Sequence, residues 1–147
     1  MILSNTCKYG LRAVIYLAIN AKEGEKMGIK KISGDLDIPT PFLGKILQVL
    51  AKKKILNSTK GPHGGFGLAR PPEEITMLDV VQIIDGDEIF DICVLSLKSC
   101  KSTEHINAPC PIHKKFHPIR EQIVNLFENE TIADLAKDIE DNKKIQL

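Results

Sequence analysis

Apolar residues return at helical spacing from the start of the chain. Leu11, Ile15, Ala18 and Ile19 share one face of a run from Leu11 to Ala21. That run lies behind Lys8 and imitates a signal peptide, but Arg12 stands at its start and no A-x-A site follows, so a core helix is expected. A shorter helical segment, Lys30 to Asp37, is broken by Ile38-Pro39, because proline disfavours helix at the residue before it. Thr40 is then expected to cap a new helix with Pro41 at its first position and Phe42, Leu43, Ile46, Leu47 and Leu50 along its apolar stripe. Lys52, Lys53 and Lys54 close that helix, where cations suit the negative end of the macrodipole. Two strand candidates follow, Ile55 to Thr59 and Phe66 to Arg70, joined by a glycine-rich basic tip from Lys60 to Gly65.

Helix, turn, helix and hairpin in this order predict a winged helix, with the second helix suited to the major groove and the wing to phosphate or the minor groove. Past Pro71-Pro72, Thr76 and Asp79 have the spacing of a capping box opening a helix through Val80, Val81, Ile83 and Ile84 to a stop at Gly86. From about Pro118 a longer amphipathic helix carries Ile119, Ile123, Val124, Leu126 and Phe127. Thr131 and Asp134 cap a last helix through Leu135 and Ile139. A long striped helix beyond a small DNA-binding unit suits a dimer interface, since such readers use two-fold symmetry.

With 147 residues and 43% hydrophobic content, the chain can bury a real core. Its net charge of +1 hides a division: residues 1–70 hold 12 Lys plus Arg against 4 acids, or +8, and residues 71–147 hold 8 against 15, or −7. A basic N-terminal half is the electrostatic footprint of a nucleic-acid module. No apolar stretch reaches membrane-spanning length, so a soluble, cytoplasmic protein without membrane association is expected. No nucleophile elbow, phosphate-binding glycine loop or dinucleotide fingerprint occurs, which argues against an enzyme.

The remaining chemistry is concentrated. Cys93, Cys100, Cys110 and His113 lie within 21 residues of a chain with four cysteines, in the pattern C-x6-C-x9-C-x2-H. Thiolates favour iron–sulfur clusters and zinc, and imidazole completes either set. The gaps are not zinc-finger gaps, and the polar, proline-bearing segment between them reads as a loop. Three unrelated thiols, one or two of them buried, remain the plainer alternative.

These features together resemble the bacterial winged-helix regulators of the Rrf2 family. The resemblance rests on residues 9–18 (YGLRAVIYLA), 61–70 (GPHGGFGLAR) and 75–86 (ITMLDVVQIIDG), on the three cysteines, and on residues 131–135 (TIADL). It implies a mainly α fold with a small β-hairpin: a winged helix-turn-helix DNA-binding domain, residues 1–75, whose first helix also packs at the dimer interface, then a Cys-containing sensor loop and C-terminal dimerisation helices, residues 76–147. It further implies a homodimeric transcription factor, usually a repressor, bound to a double-stranded DNA operator under control of an iron–sulfur cluster, [2Fe-2S] or [4Fe-4S].

Cys93, Cys100 and Cys110 match the three cysteine ligands of the family. His113 stands where the cluster-biogenesis regulators place a histidine ligand, whereas the position of the nitric-oxide sensors' acidic ligand, supplied by the partner's first helix, is occupied here by Lys8. Cys7 is an alternative fourth ligand, and His105 and His117 are weaker ones. The family's recognition helix maps onto Thr40 to Leu50, which nominates Thr40, Pro41, Phe42 and Lys45 as DNA contacts, with Lys30 and Lys31 on phosphate and Lys60, His63, Gly64 and Gly65 in the wing. Phe42 could equally belong to the core. Gly44 replaces a side chain that helps the cluster-biogenesis regulator choose its operator, so the target sequence does not carry across. Two rivals remain: direct thiol-based redox or partner control of the same DNA module, and, from another class, an iron–sulfur carrier or electron-transfer protein.

Overall fold

The computed structural model describes residues 2–95, 110–142 and 147. Helix α1, Asn5–Asn20, starts well before the apolar run, because Ser4 caps it: the Ser4 hydroxyl accepts the Cys7 N–H at 3.0 Å. Its middle is apolar around most of the circumference, and Leu11, Ala13, Val14, Ile15, Tyr16 and Leu17 are all buried. A helix of that kind belongs at the centre of a domain, and the surrounding elements pack against it.

Helix α2, Ile29–Leu36, ends where Asp37 turns left-handed (φ 53°, ψ 47°), a conformation that aspartate tolerates better than most residues. Ser33 then knits the turn: its hydroxyl donates to the Ile38 carbonyl at 2.6 Å and meets the Thr40 hydroxyl at 2.9 Å. Helix α3, Thr40–Lys52, therefore begins one residue earlier than expected, with Pro39 at the N-cap and no capping side chain. Thr40 is the first helical residue and Pro41 the second, where the missing N–H is harmless because early amides have no intrahelical partner.

The wing pairs β1, Leu56–Thr59, with β2, Gly65–Leu68, antiparallel, from Leu56 opposite Leu68 to Thr59 opposite Gly65. Both strands are shorter than expected. A further rung comes from the loop before α2: Met27 exchanges both backbone hydrogen bonds with Phe66, at 2.8 and 2.9 Å. One residue adds a third, minimal strand and ties the wing to the body.

Helix α4, Met77–Ile84, opens with the expected capping box, in which Asp79 N–H bonds Thr76 Oγ1 at 3.1 Å and Thr76 N–H bonds Asp79 Oδ2 at 3.0 Å. A 3-10 turn, Asp87–Phe90, follows. Helix α5, His113–Asn129, carries Pro118 inside it instead of starting there. Helix α6, Ile132–Asp141, has its own Thr131 and Asp134 capping box. The two boxes meet: Thr76 and Thr131 form a bridge, with Met77 N–H on the Glu130 carbonyl and Ile132 N–H on that of Ile75, both at 2.8 Å. Through this bridge α6 folds back onto α1. One apolar core accordingly joins Leu17, Leu43, Leu47, Leu50 and Leu56 with Ile75, Val80, Phe127 and Ile132. None of the described helices is long and apolar enough to cross a membrane.

Candidate nucleic-acid interface and cysteine site

The sequence between Ile38 and Arg70 contains five lysines and one arginine but no Asp or Glu. Folding spreads these cations over α3 and the wing, which pack against each other. On α3, Leu43, Ile46, Leu47 and Leu50 are buried, and Pro41, Phe42 and Lys45 are exposed together with Gln48 and Val49, two outer-face residues not singled out from sequence. Phe42 departs from its stripe: it is 60% exposed. Thr40 is half-buried, its hydroxyl against Ser33.

On α2, Lys30 and Lys31 are both exposed, but Lys31 is engaged: its ammonium lies 2.8 Å from Asp35, which also accepts the Tyr16 hydroxyl at 2.5 Å. The hydrogen bonds from Lys31 and Tyr16 hold the Asp35 carboxyl below its ordinary pKa. This knot joins α2 to α1 and leaves Lys30 the less encumbered phosphate candidate. At the wing, Lys60 and His63 are exposed at the tip, and Lys26 reaches across to the Thr59 hydroxyl. Gly64 and Gly65 are half-buried for an internal reason. A Cβ on Gly64 would stand 2.1 Å from the Thr59 carbonyl oxygen, and one on Gly65 2.2 Å from that of Met27. Both glycines are demanded by the wing's own closure.

The cysteine site is built at the start of α5. Cys110 is half-buried and its carbonyl accepts the His113 N–H at 2.9 Å, so the two side chains leave adjacent positions of one turn. The His113 ring stacks on His117, with centroids 5.4 Å apart, and His117 Nε2 lies 3.3 Å from Glu121. Cys93, only 5% exposed, follows the 3-10 turn, and Arg120 of α5 donates to the neighbouring Ile92 carbonyl at 2.8 Å. Arg120 also stacks over Phe116 at 5.2 Å, which stiffens the clamp. Cys100 and His105 lie outside the described residues. Among the described residues no group of three or more His, Cys, Asp or Glu side chains could hold a metal ion.

Cys7 sits elsewhere, fully buried in the first turn of α1. Burial first, and then the Asp85 carboxylate beside it, push its thiol up to about 12. Asp85 is itself held by Ser4, accepting the Ser4 N–H at 2.9 Å and contacting the hydroxyl. Cys7 thus behaves as a small buried apolar group, and the Ser4–Asp85 pair fastens the end of α4 to the start of α1.

The arrangement is that of a winged-helix DNA-binding protein with an appended cysteine-bearing segment and long helix. The Rrf2 family model, described as an iron-dependent transcriptional regulator, matches residues 3–138, and the chain belongs to that family. A relative from Aquifex aeolicus, named as an HTH-type transcriptional regulator, is 36% identical over 135 residues, 92% of this chain and 91% of its own. Among solved structures, the fold resembles that of CymR, the global cysteine regulator of B. subtilis, with a TM-score of 0.72 at 21% identity over 92% of this chain and 95% of the other. It also resembles T. potens IscR, with a TM-score of 0.70 at 23% identity over 99% and 91%. The protein is a DNA-binding transcriptional regulator of the Rrf2 family.

Proposed function

We propose that this regulator is a homodimeric repressor whose operator affinity follows the state of an iron–sulfur cluster held by Cys93, Cys100, Cys110 and His113. One observation carries the reading: the cysteine site and an apolar stripe whose seven-residue positions are left exposed share helix α5. Ile112, Ile119 and Leu126 recur every seven residues, with Phe116 and Ile123 between them in the alternating 4-3 spacing of a helix-pairing seam. Ile119 is 50% and Leu126 58% exposed, although the helix lies along the protein's own core. A second copy of α5 is the natural cover, and two-fold pairing would present two α3 helices to half-sites about 34–36 Å apart.

The donor set suits the group. Three thiolates and an imidazole are ligands found on iron–sulfur clusters, and the described members, Cys93, Cys110 and His113, stand at the two ends of the segment that contains Cys100. When bound, a cluster supplies ligand bonds sensitive to oxidant, nitric oxide and iron supply.

The chain's own residues do the rest. Arg120 couples the Ile92–Cys93 segment to α5, so rearrangement of the cysteines bears directly on the pairing helix. The 3-10 turn and α4 connect the same Cys93 end of the segment to the Ser4–Asp85 link and thence to α1, which packs on α3. A shift between two arrangements of this frame would alter the spacing or angle of the recognition helices, and couplings of about 1–3 kcal/mol, roughly 5- to 150-fold, suffice for a switch. Lys30, Lys45, Lys60 and His63 supply phosphate and base contacts, with Pro41 and Phe42 on the same exposed face of α3 as Lys45.

A cluster-free reading, in which the thiols are oxidised reversibly, is favoured by the partial exposure of Cys110. Purification without oxygen separates the two. The cluster reading expects a coloured protein with stoichiometric iron and acid-labile sulfide per dimer, both lost in Cys93→Ala. A colourless chain that takes up neither on reconstitution would transfer the sensing role to the thiols.

A further inference from the structure

Phe42 stands apart on α3. The apolar residues beside it, Leu43, Ile46, Leu47 and Leu50, are each 4% exposed or less, while its own ring, on the third residue of the helix directly after Pro41, projects into solvent. A single exposed ring is ordinary on a protein surface, and what distinguishes this one is its place at the leading end of a helix with a basic outer face, where covering it would bring a hydrophobic gain. The surroundings say which kind of occupant suits it. Lys45 lies one turn further along the same face, Lys30 stands on the adjoining α2, and the whole stretch from Ile38 to Arg70 lacks an acidic residue. A protein partner covering Phe42 would have to neutralise that field, whereas a polyanion does so by its nature.

Gly44 sharpens the point. A Cβ built there would lie 3.2 Å from Ile29 Cδ1, and the glycine itself brings no side chain to a ligand. Phe42 is left as the large side chain at the leading end of the helix. On the base edges of the major groove, the apolar group is the C5-methyl of thymine.

We infer that Phe42 is a specificity-determining residue that packs on a thymine methyl in each operator half-site. The inference rests on the reading of α3 as the recognition helix. It defines the ligand by chemistry: a duplex bearing thymine where the start of α3 enters the major groove, read by apolar contact instead of a hydrogen bond.

The test begins with operators selected by the full chain from a random duplex pool. Each thymine is then replaced by deoxyuridine, which removes the methyl group alone, and binding is titrated at fixed salt. Loss of one buried methyl corresponds to about a fourfold weakening, and symmetric loss in both half-sites to about fifteenfold. The expected result is one such thymine per half-site for the wild-type chain, no discrimination there by Phe42→Ala, and partial discrimination by Phe42→Leu, with unfolding midpoints of the variants unchanged because the ring is exposed. Undiminished discrimination by Phe42→Ala, or wild-type indifference at every thymine, would overturn the inference. Failure of the wild-type chain to select any duplex would overturn the recognition-helix reading itself, an outcome distinct from the other two because no operator would emerge.

Discussion

Helices α3 and α5 are both amphipathic and both leave apolar side chains in water, yet they are anchored differently. In 13 residues α3 buries Leu43, Ile46, Leu47 and Leu50; in 17 residues α5 buries Phe127 alone. Helix α3 is therefore held by its own core, and its exposed Phe42 and Lys45 form a presented face on a fixed support. Helix α5 also carries Pro118, which has no N–H to give Lys114, a defect that costs about 3 kcal/mol in an isolated helix interior. A helix so weakly embedded needs further packing, and its seven-residue stripe indicates where that packing is expected. The contrast separates a reading element that should be rigid from a coupling element whose packing can be altered.

Disrupting the stripe tests the contrast most severely. Ile119→Asp with Leu126→Asp should yield a monomer in sedimentation, retain the far-UV spectrum of the winged helix, and lose about 10²- to 10⁴-fold in operator affinity, the scale of a lost second binding site. A variant that remains dimeric would remove α5 from the interface. On the other helix, Leu47→Ala should cost about 2–5 kcal/mol in denaturant unfolding, because the side chain is wholly buried and its removal leaves a cavity. An equal cost for Ile119→Ala in the isolated protomer would erase the distinction between the helices.

A smaller effect is expected at the junction of the two halves. Thr131→Ala removes one cap beside the Thr76 bridge and should cost about 1 kcal/mol, seen as a lower unfolding midpoint with operator specificity intact. The smallest concerns acid stability. Hydrogen bonds from Thr131 hold Asp134 below its ordinary pKa of 3.8, so the folded state binds fewer protons there than the unfolded one. The stabilisation is present above the unfolded value and disappears as pH falls through the lowered folded one. Asp134→Asn should flatten the acid limb of the stability curve slightly; an unchanged limb would assign the protection to other carboxylates.

The parts of this architecture written in local chemistry were legible in the sequence. Both capping boxes, the helix-turn-helix and the hairpin follow from residues within a few positions of one another. Four features were not. The Met27 rung depends on a contact nearly 40 residues away along the chain, and no strand-length pattern announces a single residue. Thr40 looks like a cap, but Ser33 claims its hydroxyl and Pro39 takes the N-cap position. Pro118 reads as a helix start, although α5 begins at His113 and accepts the lost hydrogen bond. Phe42 borders the apolar stripe of α3, and periodicity alone cannot say that the ring falls just outside the buried arc. At the candidate site, Cys110 and His113 were predictable as neighbours from their spacing, whereas the Arg120 clamp on Ile92 joins residues 28 apart and needed the fold.

The central claim, that the cysteine site controls DNA binding through α5, is tested most directly by operator affinity at fixed salt. One anaerobic preparation would be titrated before and after treatment with nitric oxide, beside Cys93→Ala treated identically. The account predicts a 5- to 150-fold change in the wild-type chain and none in the variant. Equal affinity before and after treatment, in a protein whose iron and sulfide had been lost, would contradict it.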